Sequence, residues 1–326
     1  MKKKTIYILP ILLAGVLGIV FLSTQSTEKS VADRKTPLVS SLTRSVEIPD
    51  KVSFAGEIIS LERFDVRERY DREINSFTYF HSTTLLLIKR ANRFFPIIEP
   101  ILKKNGIPDD FKYLAVIESS LAPRAYSPAR AAGLWQFMPD TAKGYGLEVS
   151  TDVDERYSIE KSTEAACKYL NEAYAKYKSW TNAALSYNAG MGRISDEINK
   201  QQVTDGLDLW LVEETSRYYF RMLAVKSIFE SPYKYGFILS GDQLYKPVDF
   251  KEVKVSKSIA NLSVFAKENG ITYAQLKEFN SWLRTRALTI GAKSPKTYTI
   301  LIPTQESLYY KKGEKVKVHN KNWVVE

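Results

Sequence analysis

The feature that most constrains this chain is a change of hydrophobic period near Pro247. From Phe54 to about Lys246, apolar residues recur at three- and four-residue spacing, and no strand alternation competes. After Pro247 the period drops to two over Phe250–Val255, and again over Tyr298–Ile302 before Pro303. Between these strands lie two amphipathic stretches. One is Ile259–Asn269, closed by Gly270, and the other is Thr272–Asn280, with Thr272 as its cap. The pattern predicts a mainly α domain over 53–247 and a small α+β unit of β-α-α-β order over 250–304. A basic tail, 305–326, follows without a clear period.

Within the helical part, Val66–Asn105 reads as helix, with Gly106 and Pro108 as stop and restart. Pro108 suits the first turn of the next helix, and Asp109 and Asp110 complement its dipole. That helix runs to about Leu121, before Pro123. Ser162–Lys178, Trp180–Tyr187 and Ser216–Phe229 fit further helices.

The N-terminus pairs Lys2, Lys3 and Lys4 with an apolar run of 17 residues from Ile6 to Leu22. A basic start before an apolar core is an export signal. Two fates stay open for residues 1–30: a cleaved signal, or an uncleaved anchor that holds the chain to the cytoplasmic membrane through residues 5–22. Residues 31–52, with Pro37 and Pro49, read as a linker. Either fate places the bulk of the protein outside the cytoplasm, in the periplasm or cell envelope.

Composition excludes several chemistries. Cys167 is the single cysteine, and His81 and His319 are the only histidines. No intrachain disulfide, Cys-rich zinc site or histidine metal centre can be built from them, and no cofactor or metal is expected. The net charge is +10, yet residues 31–250 are near neutral and residues 251–326 carry +8. A nucleic-acid enzyme would concentrate positive charge on its main domain, so nucleic acid is excluded as a partner.

The chemistry centres on Glu118 in Phe111-Lys112-Tyr113-Leu114-Ala115-Val116-Ile117-Glu118-Ser119-Ser120-Leu121. Its helical neighbours at three and four positions are Leu114, Ala115, Leu121 and Ala122, all apolar. Desolvation there raises a carboxyl's pKa and suits it to general-acid work. A stem lying over the core with its head in water is the plainer alternative. Three further motifs follow. They are Ser127-Pro128-Ala129-Arg130-Ala131-Ala132-Gly133-Leu134-Trp135-Gln136-Phe137-Met138-Pro139, then Ala183-Ala184-Leu185-Ser186-Tyr187-Asn188-Ala189-Gly190, then Glu214-Thr215-Ser216-Arg217-Tyr218.

Together and in this order, these motifs resemble the lysozyme-like lytic transglycosylases of bacterial cell walls, over about residues 65–245. The nearest resemblance is to the membrane-bound murein transglycosylase D group, which joins such a domain to LysM modules. The resemblance implies Glu118 as the single catalytic acid/base. It implies that Ser127 supports the reacting sugar and that Gln136 and Met138 line the glycan groove. Tyr187 and Asn188 would stand beside Glu118 and the substrate's acetamido group. Tyr218 would hydrogen-bond Glu118, with Tyr187 also placed to tune it. Arg130 departs from the group, which often has Gly there.

The family route needs one carboxylate. It cleaves the MurNAc-β-1,4-GlcNAc bond of peptidoglycan without water and leaves 1,6-anhydro-MurNAc ends. The partner implied is the peptidoglycan glycan strand; no protein partner is indicated. Asp140, Asp152, Asp154 and Glu155 read as caps and surface charge, and Glu214 as structural. A lysozyme-type hydrolase on the same fold would need a second acid. A non-catalytic glycan-binding protein would not need Glu118. Trp135, Trp180 and Tyr145 are conceivable sugar-stacking rings, with core packing favoured for Trp180. The C-terminal unit resembles a LysM module, a glycan-binding family, through Thr272–Asn280 and Ile300–Pro303. It departs where Val255-Ser256-Lys257-Ser258-Ile259 replaces the usual Gly-Asp-Thr/Ser loop, so a spacer role stands beside glycan binding.

Overall fold

The computed structural model describes residues 43–291, 296–311 and 313–325. The expected signal or anchor, and the linker up to residue 42, lie outside these. Among the described residues, no helix is long and apolar enough to cross a membrane.

The described chain opens with a hairpin, β1 (Lys51–Phe54) and β2 (Glu57–Ser60). Helices α1 (Phe64–Tyr79), α2 (His81–Lys104), α3 (Lys112–Ser119) and α4 (Pro139–Gly144) follow. Next come α5 (Ile159–Tyr177), α6 (Trp180–Ala189), α7 (Met191–Gln201) and α8 (Glu213–Glu230). The C-terminal module comprises β3 (Phe250–Val255), α9 (Leu262–Glu268), α10 (Tyr273–Phe279) and β4 (Tyr298–Pro303), and a short α11 (Gln305–Leu308) follows it. The fold is therefore mainly α, with a small two-stranded α+β unit after it.

Helix α8 is the hub of the helical part. It buries Tyr219, Phe220, Met222, Leu223, Val225 and Phe229 against α1, α3 and α6. So many apolar side chains around its circumference leave it no solvent stripe, which is how a central helix reads. Helix α6 is capped from two sides. Its own Ser179 accepts from Asn182 N, and Glu57 of the hairpin accepts from Trp180 N at 2.6 Å and Thr181 N at 3.0 Å. A carboxylate at a helix N-terminus satisfies orphan N–H groups and opposes the dipole.

In the module, β3 and β4 pair antiparallel from Phe250↔Pro303 to Val255↔Tyr298. Thr272 makes a capping box with Gln275, as its position predicts. The module's core is shared with the helical part: Ala132, Val153 and Tyr157 pack into the same cluster as Leu276, Leu283 and Leu288.

Three local features differ from the periodicity. A hairpin at 51–60 replaces the end of the expected linker (31–52) and the start of the expected helical pattern (from Phe54), because two four-residue strands are too short to show alternation. Its turn, Ala55 (φ 52°) and Gly56 (φ 84°), has the double positive φ of a tight hairpin, and Asp110 accepts from Ala55 N at 2.8 Å. The stretch 66–105 is two helices broken at Phe80, whose ψ of 55° is not helical. Helix α3 stops at Ser119 rather than Leu121, because Ser120 and Leu121 both turn left-handed, at φ 53° and 52°.

The basic stretch 305–326 is expected to be a tail without pattern, but Gln305 and Leu308 pack on the module and the residues from Glu314 to Val325 fold back over the helical part. Trp323 is buried between Phe95 and Phe229, and its Nε1 donates to Phe229 O at 2.9 Å. Asn92 of α2 donates to Lys317 O at 3.0 Å and accepts from His319 N at 2.8 Å. Buried Lys246 reaches Glu314 at 3.0 Å. Lysines spaced for solubility hide this, since the anchoring residues are few and far apart.

Candidate active site

Glu118 is the penultimate residue of α3. Leu114, Ala115 and Leu121 around it are fully buried. Its Oε1 accepts a short hydrogen bond from the hydroxyl of Tyr218 on α8, itself almost fully buried. Burial pushes the Glu118 carboxyl up to about 7, with Glu214 adding to the rise; the Tyr218 hydrogen bond and Arg221 pull the other way. The position compounds this, because the C-terminal end of a helix disfavours negative charge. The carboxyl is thus poised to give and take a proton near neutrality.

Tyr187 stands near enough to Glu118 for that charge to raise its own phenol further above the ordinary value, after burial, which is the main cause. Its hydroxyl does not donate to Glu118, as expected from the resemblance, but to Trp135 O at 2.9 Å. Its ring lies edge-on to Phe137 and Tyr169. Tyr187 therefore acts as a wall, and Tyr218 alone supplies the hydrogen bond. Asn188 accepts from Thr215 Oγ1 at 2.8 Å, which fixes its amide and leaves Nδ2 without a hydrogen bond to any described residue. Thr215 was quoted in a motif but given no role. It lies three residues before Tyr218, on the same helical face, and that spacing is the signal that could have found it.

Ser127, Gln136 and Met138 come from the loop between α3 and α4. Ser127 Oγ accepts from Ala131 N at 3.0 Å, closing a tight turn. Gln136 sits at φ 47°, and its Nε2 donates to Gly133 O at 2.8 Å and Ala125 O at 3.3 Å. Met138 is exposed just before α4. No hydrogen bond joins these three side chains to Glu118 among the described residues. Arg130 has φ 72°, which explains why Gly suits that position.

Three of the other acids, Asp152, Asp154 and Glu155, are occupied. Asp154 forms a bidentate pair with Arg156, at 2.9 and 2.7 Å, both buried. Asp152 accepts from Thr285 Oγ1 at 3.1 Å and Thr289 N at 3.2 Å. Glu155 pairs with Lys161, and Asp140 is exposed in the first turn of α4. Among the described residues no group of His, Cys, Asp and Glu is arranged to hold a metal. Trp135 is fully buried, with Nε1 on Thr163 Oγ1 at 2.8 Å, so it is core and not a sugar platform. Trp180 stacks on Tyr174, and Tyr145 donates to Glu172.

A cavity of about 1360 Å³ opens between α2 and the module, lined by Ile97, Pro100, Pro108, Phe250, Phe279 and Trp282 among others. None of the seven expected site residues lines it. The cavity lies between the helical part and the module, and Glu118 is not part of its lining.

The sequence that carries these residues matches known families. Residues 95–208 match the family described as transglycosylase SLT domain, and residues 251–306 match the soluble lytic transglycosylase C-terminal LysM-like domain. The chain is 27% identical over 266 residues to the membrane-bound lytic murein transglycosylase D of Escherichia coli (strain K12), covering 79% of this chain and 56% of that relative. It thus spans little more than half that relative's length. Peptidoglycan transglycosylase gp16 of Escherichia phage T7 is 34% identical over 122 residues, covering 36% of this chain and 9% of that protein. Among solved structures, the 70 kDa soluble lytic transglycosylase of Escherichia coli aligns with a TM-score of 0.39 at 17% identity, over 49% of this chain and 30% of that one. The SLT match contains Glu118, Ser127, Gln136, Met138, Tyr187 and Asn188; Tyr218 lies beyond its end, on α8.

Proposed function

We propose that this chain is a peptidoglycan lytic transglycosylase that works outside the cytoplasmic membrane, cleaving the MurNAc-β-1,4-GlcNAc bond for cell-wall remodelling or turnover. The observation that carries the reading is Glu118, raised to about 7 and held by Tyr218, while Asp152, Asp154 and Glu155 are bonded elsewhere. A two-carboxylate glycosidase needs a partner acid to hold water or to form a covalent bond.

With one carboxyl, the same group handles both protons, giving up one and then taking another. Protonated Glu118 gives its proton to the glycosidic oxygen as the C1–O bond breaks. The N-acetyl group of the same sugar stabilises the cationic centre at C1. Ionised Glu118 then takes the proton from the C6 hydroxyl as its oxygen closes on C1. The product is a 1,6-anhydro end, no water is consumed, and Glu118 is left protonated. Asn188, through its open Nδ2, is suited to the acetamido carbonyl. Ser127, Gln136 and Met138 flank the glycan. The segment 5–22 would serve as signal or membrane anchor.

The test is a product mass. Purified peptidoglycan digested by the protein should give muropeptides one water lighter than hydrolysis products and without a reducing end. Glu118→Gln should give none while still folding. Reducing-end products would replace this reading with a hydrolase that recruits Glu214, the acid whose charge reaches Glu118.

A further inference from the structure

The C-terminal module does not hang from the SLT domain on a leash. Its segment 281–285 forms a backbone seam with 152–154: Asp154 N donates to Trp282 O at 2.9 Å and Arg284 N to Asp152 O at 2.8 Å, with Val153 and Leu283 opposed as an antiparallel bridge. Side chains reinforce it. Asp152 accepts from Thr285 and Thr289, and the Arg284 guanidinium lies over the Tyr157 ring at 4.2 Å. Tyr298 donates to Glu148 at 2.9 Å. The gripped segment leads straight into the site loop. Asp154 holds Arg156 in a bidentate pair, and Arg156 Nη1 donates to Arg130 O at 2.7 Å and Phe137 O at 3.0 Å. Those two carbonyls lie on either side of Gly133, inside the loop that carries Ser127 and Gln136. A five-donor planar guanidinium is the side chain suited to such a four-way bridge.

We propose that the C-terminal module acts as a buttress for the 125–137 loop, with Arg156 the positioning residue that transmits the constraint. This extends the transglycosylase reading and rests on it: the module's contribution is to hold the sugar-binding loop in register with Glu118. Glycan capture by the module is not required for it. Reactions that depend on placement lose about a hundredfold for misplacement of about an ångström, so a modest loosening should be visible in rate.

The test uses the full chain carrying Asp152→Ala, with Thr285→Val as a second variant in case the first fails to fold and Thr285→Ser as the conservative partner. Two substrates are compared, intact sacculi and a four-sugar peptidoglycan fragment. The expected result is a fall of about tenfold in kcat/KM on both substrates, with thermal melting nearly unchanged and sacculus pelleting retained. Thr285→Ser, which keeps the donor to Asp152, should behave as wild type. Amide hydrogen exchange over Arg130–Phe137 should quicken by about tenfold in the two disrupting variants. A loss confined to sacculi together with lost pelleting would overturn the proposal in favour of glycan capture. Unchanged exchange in the loop would overturn it whatever the rates. If the wild type releases nothing from either substrate, the transglycosylase reading fails, while the exchange result still decides whether the module holds the loop.

Discussion

At Glu118 two influences oppose one another. Burial and the helix end push the proton on, and the Tyr218 hydroxyl, by donating to Oε1, helps it leave. Tyr218→Phe removes only the second. The carboxyl should then rise further, the alkaline limb of the pH–rate profile should move to higher pH, and turnover should fall; a pH series on one substrate reads all of this. The same residue makes a stability prediction. Its folded pKa, about 7, lies above the ordinary 4.5, so the folded state prefers the protonated form. The associated stability is complete below pH 4.5 and is lost as pH rises through 7. Above that, the charged carboxyl costs up to about 3 kcal/mol, at about 1.4 kcal/mol per unit. Glu118→Gln escapes the penalty, so it should melt above wild type at pH 8 and the gap should close by pH 4. A gap of the same size at both pH values would remove the raised pKa from the explanation.

The loop between α3 and α4 shows what an element without regular structure needs to hold a shape. It places Arg130 and Gln136 at positive φ beside Gly133, and Arg156 ties its carbonyls together. At Gly133 (φ 79°) an added Cβ would sit 1.8 Å from Arg156 O. Backbone cannot yield as a side-chain tip can. Gly133→Ala should therefore cost about 2 kcal/mol or more and abolish activity with helix content kept. Gly236→Ala is the contrast, since nothing lies within 4 Å of its Cβ position and only its left-handed backbone, φ 83° and ψ 11°, opposes it; about 1 kcal/mol is expected there. Urea melts on the pair measure the difference. The long helices and the module's strands were legible because each repeats its period several times. The apolar surroundings of Glu118 were legible because its neighbours at helical spacing are all apolar. The hairpin was not, since four residues a strand barely register. Nor was the partner of Tyr187, because a hydrogen bond to Trp135 O is set by a loop's backbone path and leaves no trace in residue spacing.

Seen as a whole, the molecule has two cores joined at a seam and then pinned a second time by the segment after α11. Trp323 fills a slot between Phe95 and Phe229 and bonds a carbonyl of α8. Trp323→Ala should cost about 3–5 kcal/mol, the usual range for emptying an aromatic slot. The loss should lower one cooperative melting transition rather than split off a second, because the segment and the helical core share contacts; calorimetry would separate these outcomes. That slot also orders events in time. Phe229 leaves the ribosome 94 residues before Trp323 does. At about 5–20 residues per second, the helical core waits roughly 5–20 seconds for its last aromatic wedge, while the whole module is made in between. A chain built this way stays unfinished through most of its synthesis, the condition in which a polypeptide is still thin enough to be threaded through a translocation pore.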